Sequence, residues 1–243
     1  MLSVRERVYQ WLRRTARPFH ARSEAWLVRQ ILCLPQRHFG EIAADMDGVS
    51  GGVMLDLGGA DGFSSAPLAG HFGRRVVLDL EEQSHPDVVA DGVSGLPFPD
   101  GAFSYILSLE VLEHVADPRK FLSEAARVLA PGGRMCLSTR QYFRTHGAPH
   151  DYFRYTEHGL RVVFSGSGLR IDRMTALGGP FTVMATAWDQ FCGQIGLGRP
   201  PFKQILCYPF LLLAIRLDGM AMRSGSFRRE PDTTGWLVFA AAP

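Results

Sequence analysis

The sequence predicts an α/β fold built on a parallel sheet covered on both faces, and three observations carry that prediction. Between residues 52 and 140, short apolar runs alternate with helical or turn segments, the pattern of strands joined by right-handed crossovers. The first run, VMLDL, ends next to an acid and is followed at once by Gly58, Gly59 and Gly62, where backbone turns sharply and leaves room against itself. Acids also close the next two runs, at Asp79 and Asp91. In open parallel sheets, ligands bind at these carboxyl ends of the strands.

Taken in order, the elements begin with an arm. Val4, Val8, Trp11, Leu12, Thr15 and Phe19 share one face of a helix that Pro18 bends or ends. Residues 1–40 hold eight arginines against two glutamates, whereas the whole chain carries only +2. The positive charge is therefore concentrated in the arm, and the remainder is net acidic. Such an arm reads either as a helix packed on the core with its charged side solvated, or as an interfacial helix on anionic lipid. Arginines without a recognisable binding module do not point to nucleic acid.

Strands are expected at 52–57, 74–80, 87–92, 102–109, 134–140, 169–177 and 235–242, with a short helix in SSAPLAGHF after the first. The segment DPRKFLSEAARVLAPGGR predicts an amphipathic helix capped by Asp117, with Pro118 at its first position and Pro131-Gly132-Gly133 ending it. A loop rich in aromatics and histidines follows at 141–155, then a helix capped by Thr156 that ends at Gly166 and Gly168. The domain organisation expected is a basic arm (1–45), a core (46–177), an inserted aromatic and apolar segment (178–230) and a closing strand (231–243).

Composition narrows the class. With 46% hydrophobic and 21% charged residues the chain suits a globular core. Four cysteines without a C-x-x-C pair argue against zinc and disulfide frameworks and fit a reducing cytoplasm. The N-terminus shows no apolar core of a signal peptide. The longest apolar run, ILCYPFLLLAI, is about half of the ~20 residues that span a bilayer. A cytoplasmic protein is expected, with peripheral contact to the inner face of a membrane through residues 1–30 and 205–217 as a further option.

The glycine loop alone fits either a tight connection or a nucleotide-binding turn. A dinucleotide site wants G-x-G-x-x-G, and Ala60 and Phe63 break that pattern. Asp79 lies 23 residues after Asp56, a spacing suited to accepting hydrogen bonds from ribose hydroxyls.

Together VMLDLGGADG, VVLDL, VVADGVSGLPFPDGAFSYILSLEVLEHVADP and FLSEAARVLAPGGRMCLST resemble the class I S-adenosylmethionine-dependent methyltransferases of the small-molecule type. The resemblance covers roughly residues 50–177 and the closing strand. It implies a Rossmann-like, doubly wound, mostly parallel seven-stranded sheet with an antiparallel last strand, and S-adenosylmethionine as cofactor. It implies that Asp56, Gly58, Gly59, Ala60 and Gly62 form the loop holding the methionine part, that Asp79 and Leu80 meet the ribose side, and that Asp91 and Gly92 lie along the adenine. Leu109 and Glu110 would face cofactor and acceptor. Two departures stand out: Ala60 replaces the middle glycine of the family's G-x-G-x-G, and only twelve positions separate Asp79 from Asp91.

Methyl transfer to oxygen or nitrogen also needs a proton acceptor. Among His146, His150 and Asp151 in the 141–155 loop, His150 is the expected base, oriented by Asp151, with His114 a further candidate catalytic group. The competing reading pairs Asp151 with Arg154. A helix through EVLEH would put Glu110, Glu113 and His114 on one face, a set able to hold a divalent metal. A similar E-x-x-E-H occurs in metal-using small-RNA 2′-O-methyltransferases and ubiquinone-pathway O-methyltransferases, and also in relatives with no known metal. No metal is the expectation, with His114 structural. The function read from the sequence is methyl transfer to a small-molecule, sugar or lipid-linked acceptor at oxygen. The alternatives are a non-catalytic binding protein of the same fold and a metal-assisted or nucleic-acid O-methyltransferase.

Overall fold

The computed structural model describes residues 38–49, 51–62, 64–197, 202–224 and 232–243. Most of the basic arm, the membrane contact expected of residues 1–30, and Phe63 lie outside them. The described chain divides into two compact units, His38–Leu177 with Gly235–Pro243, and a second within Gly178–Thr234.

The larger unit is a seven-stranded sheet. Its strands are β1 (Val53–Leu57), β2 (Arg74–Asp79), β3 (Val88–Val89), β4 (Phe103–Leu109), β5 (Leu129–Arg140), β6 (Arg170–Ala176) and β7 (Gly235–Ala241), in the order β3-β2-β1-β4-β5-β7-β6. All pairings from β3 to β5 are parallel, and β7 runs antiparallel between β5 and β6. The expected doubly wound, mostly parallel sheet is therefore present. Central strands read as unbroken apolar runs because both faces are covered: Leu55, Ile106, Leu107, Leu137 and Val238 are fully buried. Chain order reverses between β1 and β4, so their carboxyl ends open a crevice, the usual ligand position in such sheets.

Helices α1 (Phe39–Met46), α2 (Pro118–Val128) and α3 (Glu157–Phe164) cover this sheet. The Asp117 carboxylate accepts from the Lys120 amide, and Thr156 Oγ1 accepts from the Gly159 amide. Helix α2 buries Phe121, Leu122, Ala125 and Val128 on one face. It stops at Val128, short of the Pro-Gly-Gly stop expected from the sequence. Leu129 pairs with Phe103, and residues 130–133 bulge out before Arg134 pairs with Tyr105. Sheet pairing wins over helix propagation there. After β1 the expected short helix forms as a 3-10 helix, Ala66–His71, and the β2–β3 crossover holds only the 3-10 turn Glu82–Ser84.

The second unit holds α4 (Pro180–Gln194), α5 (Phe202–Leu206) and α6 (Tyr208–Arg223). Buried Asp218 of α6 accepts from the Gly179, Phe181 and Thr182 amides, capping the first turn of α4. Phe181, Met184, Trp188 and Phe191 recur along one side of α4 and, with Ile195 at its C-cap, remain exposed. Among the described residues, no helix is long and apolar enough to cross a membrane.

Candidate active site at the carboxyl edge of the sheet

A cavity of about 630 Å³ opens at this carboxyl edge, bounded by the ends of β1, β2 and β4 and by the 141–155 loop. On its first wall, Gly58 has φ +78°, and a Cβ there would lie 2.5 Å from a Val111 methyl. Only glycine meets both demands. Ala60 also sits in left-handed backbone, at φ 49°, and its amide donates to Asp79 Oδ2 at 2.8 Å. Asp79 Oδ1 accepts from the Glu81 amide. Each of these oxygens keeps a second lone pair, and Asp79 lines the cavity. Next to it Leu80 is 64% exposed, an apolar side chain in the cavity wall.

Asp56 does not line the cavity. It is buried against Gly59 and accepts from Ser65 Oγ. Burial pushes its carboxyl up to about 6, against the Ser65 hydrogen bond and the Arg75 charge. Gly59, Gly62 and Leu109 likewise lie behind the wall, whereas Asp91 and Gly92 are on it. Asp91 accepts from the Val93 amide and from Ser94 Oγ, and the Ser94 bond leads in holding its carboxyl low.

The second wall is made of side-chain pairs. No helix runs through Glu110–His114: Glu110 has φ 60°, and only Leu112–His114 form a 3-10 turn. Glu110 therefore does not share a helical face with Glu113 and His114. Its Oε1 accepts from Ser138 Oγ at 2.7 Å, and its other oxygen pairs with Arg140. Glu113 is fully buried, and its Oε2 accepts from Thr139 Oγ1 at 2.7 Å. Burial first, then the nearby Glu110 charge, push the Glu113 carboxyl up to about 7.

His114 and His150 both face the cavity. His114 Nδ1 lies 2.6 Å from the His150 carbonyl oxygen, and His150 Nδ1 lies 2.9 Å from the Tyr152 hydroxyl. The expected support of His150 by Asp151 is not what the structure holds. Asp151 is engaged by both terminal nitrogens of Arg154 and by the His146 amide. The Arg154 hydrogen bonds lead in holding its carboxyl far below the usual carboxylate range, so it is no base near neutral pH. Its position fixes the loop instead.

The methyltransferase-domain family profile matches residues 55–137. Over 137 residues the chain is 36% identical to a ubiquinone biosynthesis O-methyltransferase of Azorhizobium caulinodans, covering 50% of this chain and 53% of that protein. It is 32% identical over 149 residues to a demethylmenaquinone methyltransferase of Paenarthrobacter aurescens, covering 56% and 57%. The chain thus spans about half the length of these relatives. Residues 55–137 thus match a methyltransferase domain, and the relatives support a class I S-adenosylmethionine-dependent methyltransferase. Its fold is also that of the [4+2]-cyclase SpnF, with a TM-score of 0.57 at 15% identity, covering 86% of this chain and 82% of that one. That likeness concerns the fold alone, since one fold hosts several chemistries.

Within the methyltransferase domain, sequence reasoning missed Ser138, Thr139 and Arg140, which satisfy Glu110 and Glu113. The signal was the end of β5, where the apolar run MCL turns to STR one strand away from EVLEH. It also missed the pairing of His114 with His146. A residue far in sequence supplies each partner, and no local pattern marks it.

The groups on the first wall fit S-adenosylmethionine. The bare Gly58 backbone admits close approach, Asp79 keeps acceptor capacity for ribose hydroxyls, and exposed Leu80 offers an apolar face to a nucleobase.

Proposed function

We propose that this methyltransferase transfers a methyl group to a hydroxyl oxygen of a small-molecule, sugar or lipid-linked acceptor, with His150 as general base. In this reading Gly58, Ala60, Asp79, Leu80, Asp91 and Gly92 hold the cofactor, while Asp56, Gly59, Gly62 and Leu109 support that surface from behind. S-adenosylmethionine, when bound, supplies an electrophilic methyl on a sulfonium. The protein's part is alignment, exclusion of water and removal of the acceptor proton.

The observation that carries the reading is the pairing of two unlike walls around one cavity. Asp79 and bare glycine backbone stand on one side, and on the other an exposed imidazole is hydrogen-bonded to Tyr152. Glu110, held by Ser138 and Arg140, shapes the floor between them. The strained backbone of Glu110 belongs to a functional position, where local cost is tolerated. His114 serves as a wall residue held by the His150 carbonyl.

The names of the two curated relatives support a small-molecule acceptor, and the first supports oxygen. A lipid-linked acceptor is further supported by the second unit, where Ile205, Leu206, Phe210 and Leu213 are exposed alongside the α4 stripe. Contact of residues 205–217 with a membrane surface belongs to the same proposal.

The test is a methyl-transfer assay over a panel of hydroxylated aromatic and lipid-linked acceptors, with His150→Ala as the variant. The expected outcome is an O-methylated product and a kcat lowered about 10²-fold, with unchanged affinity for S-adenosylhomocysteine. A carbon-methylated product, or full activity in the variant, overturns the assignment.

A further inference from the structure

Helix α4 buries one side and exposes another. Its Ala185 and Cys192 turn inward and join a buried cluster with Cys207, Tyr208, Leu211 and Ala214. The outer side carries Met184, Trp188 and Phe191, with Ile195 at the C-cap, exposed by 61%, 40%, 50% and 51%. Trp188 and Phe191 stand with ring centroids 5.8 Å apart, and the Trp188 indole N–H donates to the Leu206 carbonyl. These rings are held in place while their outer faces meet water. Leaving four large apolar side chains of one face in water forgoes the stability that their burial gives.

Their spacing indicates what covers them. The steps 184–188–191–195 are four, three and four residues, the alternation by which one helix seats on another. A bilayer sets no such register, and helices that lie on anionic lipid carry Lys or Arg beside the apolar face. The charged residue of α4 is Asp189, which pairs with Lys203 at 3.1 Å. The α4 face therefore suits a second helix whose own charges point away from it.

The chain itself offers that helix. In the basic arm, Val4, Val8, Trp11 and Thr15 also follow steps of four, three and four, with Leu12 on the same face. Each seam advances eleven residues (195 − 184 and 15 − 4), about 16 Å of helix. On a helical wheel Arg5, Arg7, Arg13, Arg14 and Arg17 fall outside the apolar arc, where water solvates them. The 20 residues from 18 to 37 join the arm to α1 and extend to about 65 Å, so the tether permits the docking.

We propose that residues 4–17 form a helix that docks on the Met184–Ile195 face of α4. Both partners belong to one chain, so the docking is intramolecular and independent of protein concentration. It covers an apolar face that otherwise invites association. In this arrangement the apolar side of the arm is taken by α4 and is not free for lipid. The docking stands apart from the methyl-transfer reading, since neither cofactor nor acceptor takes part in it.

The experiment introduces a reporter thiol into the full chain by Met184→Cys and follows its alkylation by a maleimide. Peptide mass spectrometry assigns the label to that position, and the native Cys136, Cys192 and Cys207 are buried. A comparison chain also carries Trp11→Glu, which puts a charge into the arm's seam. With the arm intact the thiol is expected to react at least ~10-fold more slowly than with Trp11→Glu, as for a site shielded in about nine-tenths of molecules. A thiol placed by His158→Cys, at an exposed position of α3, reacts equally in both backgrounds. Circular dichroism checks folding, and Val8→Glu repeats the comparison if Trp11→Glu does not fold. Equal reactivity at position 184 with and without Trp11→Glu overturns the proposal. So does protection that appears only at high protein concentration, which marks a second copy as the cover. Protection that appears only with phosphatidylglycerol vesicles overturns it too and assigns the face to a membrane.

Discussion

The first wall of the cavity, from β1 to β3, gets its shape from backbone, whereas the second wall, beyond β4 and β5, gets its shape from charged and polar side-chain pairs. On the first, Gly58 admits no side chain, and the Ala60 amide is clamped by Asp79. On the second, Glu110 pairs with Arg140, Glu113 with Thr139 and Asp151 with Arg154. In the proposed function, the contrast follows from what each wall has to do. A surface that receives one fixed ligand can be built into chain geometry. A surface that must accept a particular substrate and handle a proton needs titratable groups.

That difference makes the first wall sensitive to changes of conformation and buried charge. The largest effect expected there comes from Asp56. Its folded-state carboxyl holds a proton up to about 6 against a usual 3.8. The stability this group contributes is therefore complete below 3.8 and is lost as the pH rises through 6. A shift of this size corresponds to about 3 kcal/mol. Urea denaturation of wild type and Asp56→Asn at about pH 4 and about pH 8 checks it. The variant is expected to gain about that much relative to wild type at the higher pH. A pH-independent difference would mean that Asp56 is ionised in place, and that the first wall also rests on a buried charge pair.

A smaller effect is expected at Ala60. An L-residue in left-handed backbone costs about 1–2 kcal/mol, part of which glycine returns as unfolded-state entropy. Ala60→Gly should therefore raise stability by about 0.5–1 kcal/mol, read as a higher melting temperature. A loss instead would show that the Ala60 methyl makes packing contacts that outweigh its backbone cost.

The same contrast explains how much was legible in the sequence. Strand positions, the glycine turn, Asp79 and both helix caps depend on residues close in the chain, and local periodicity and capping chemistry report them. The second wall depends on β5 lying beside β4, so the partners of Glu110 and Glu113 come from 28 and 26 residues away. No local rule reaches that far. The end of α2 misled for the same reason: Pro131-Gly132-Gly133 is a good helix stop, but Leu129 was already claimed by Phe103 in the sheet. At Asp151 the sequence offered both partners, and the competing reading is the one present: Asp151 pairs with Arg154 three residues on, with the carboxylate side chain 2% exposed, rather than with the His150 imidazole.

The central claim is that the first wall holds a nucleoside cofactor through Asp79. Calorimetric titration of the full chain with S-adenosylhomocysteine, beside Asp79→Ala, tests it most directly. Micromolar binding at one site, weakened at least ~30-fold in the variant, is the predicted result, a loss of about 2 kcal/mol or more. Wild-type protein that binds no S-adenosylhomocysteine, or binds it as well without the Asp79 carboxylate, would contradict the account.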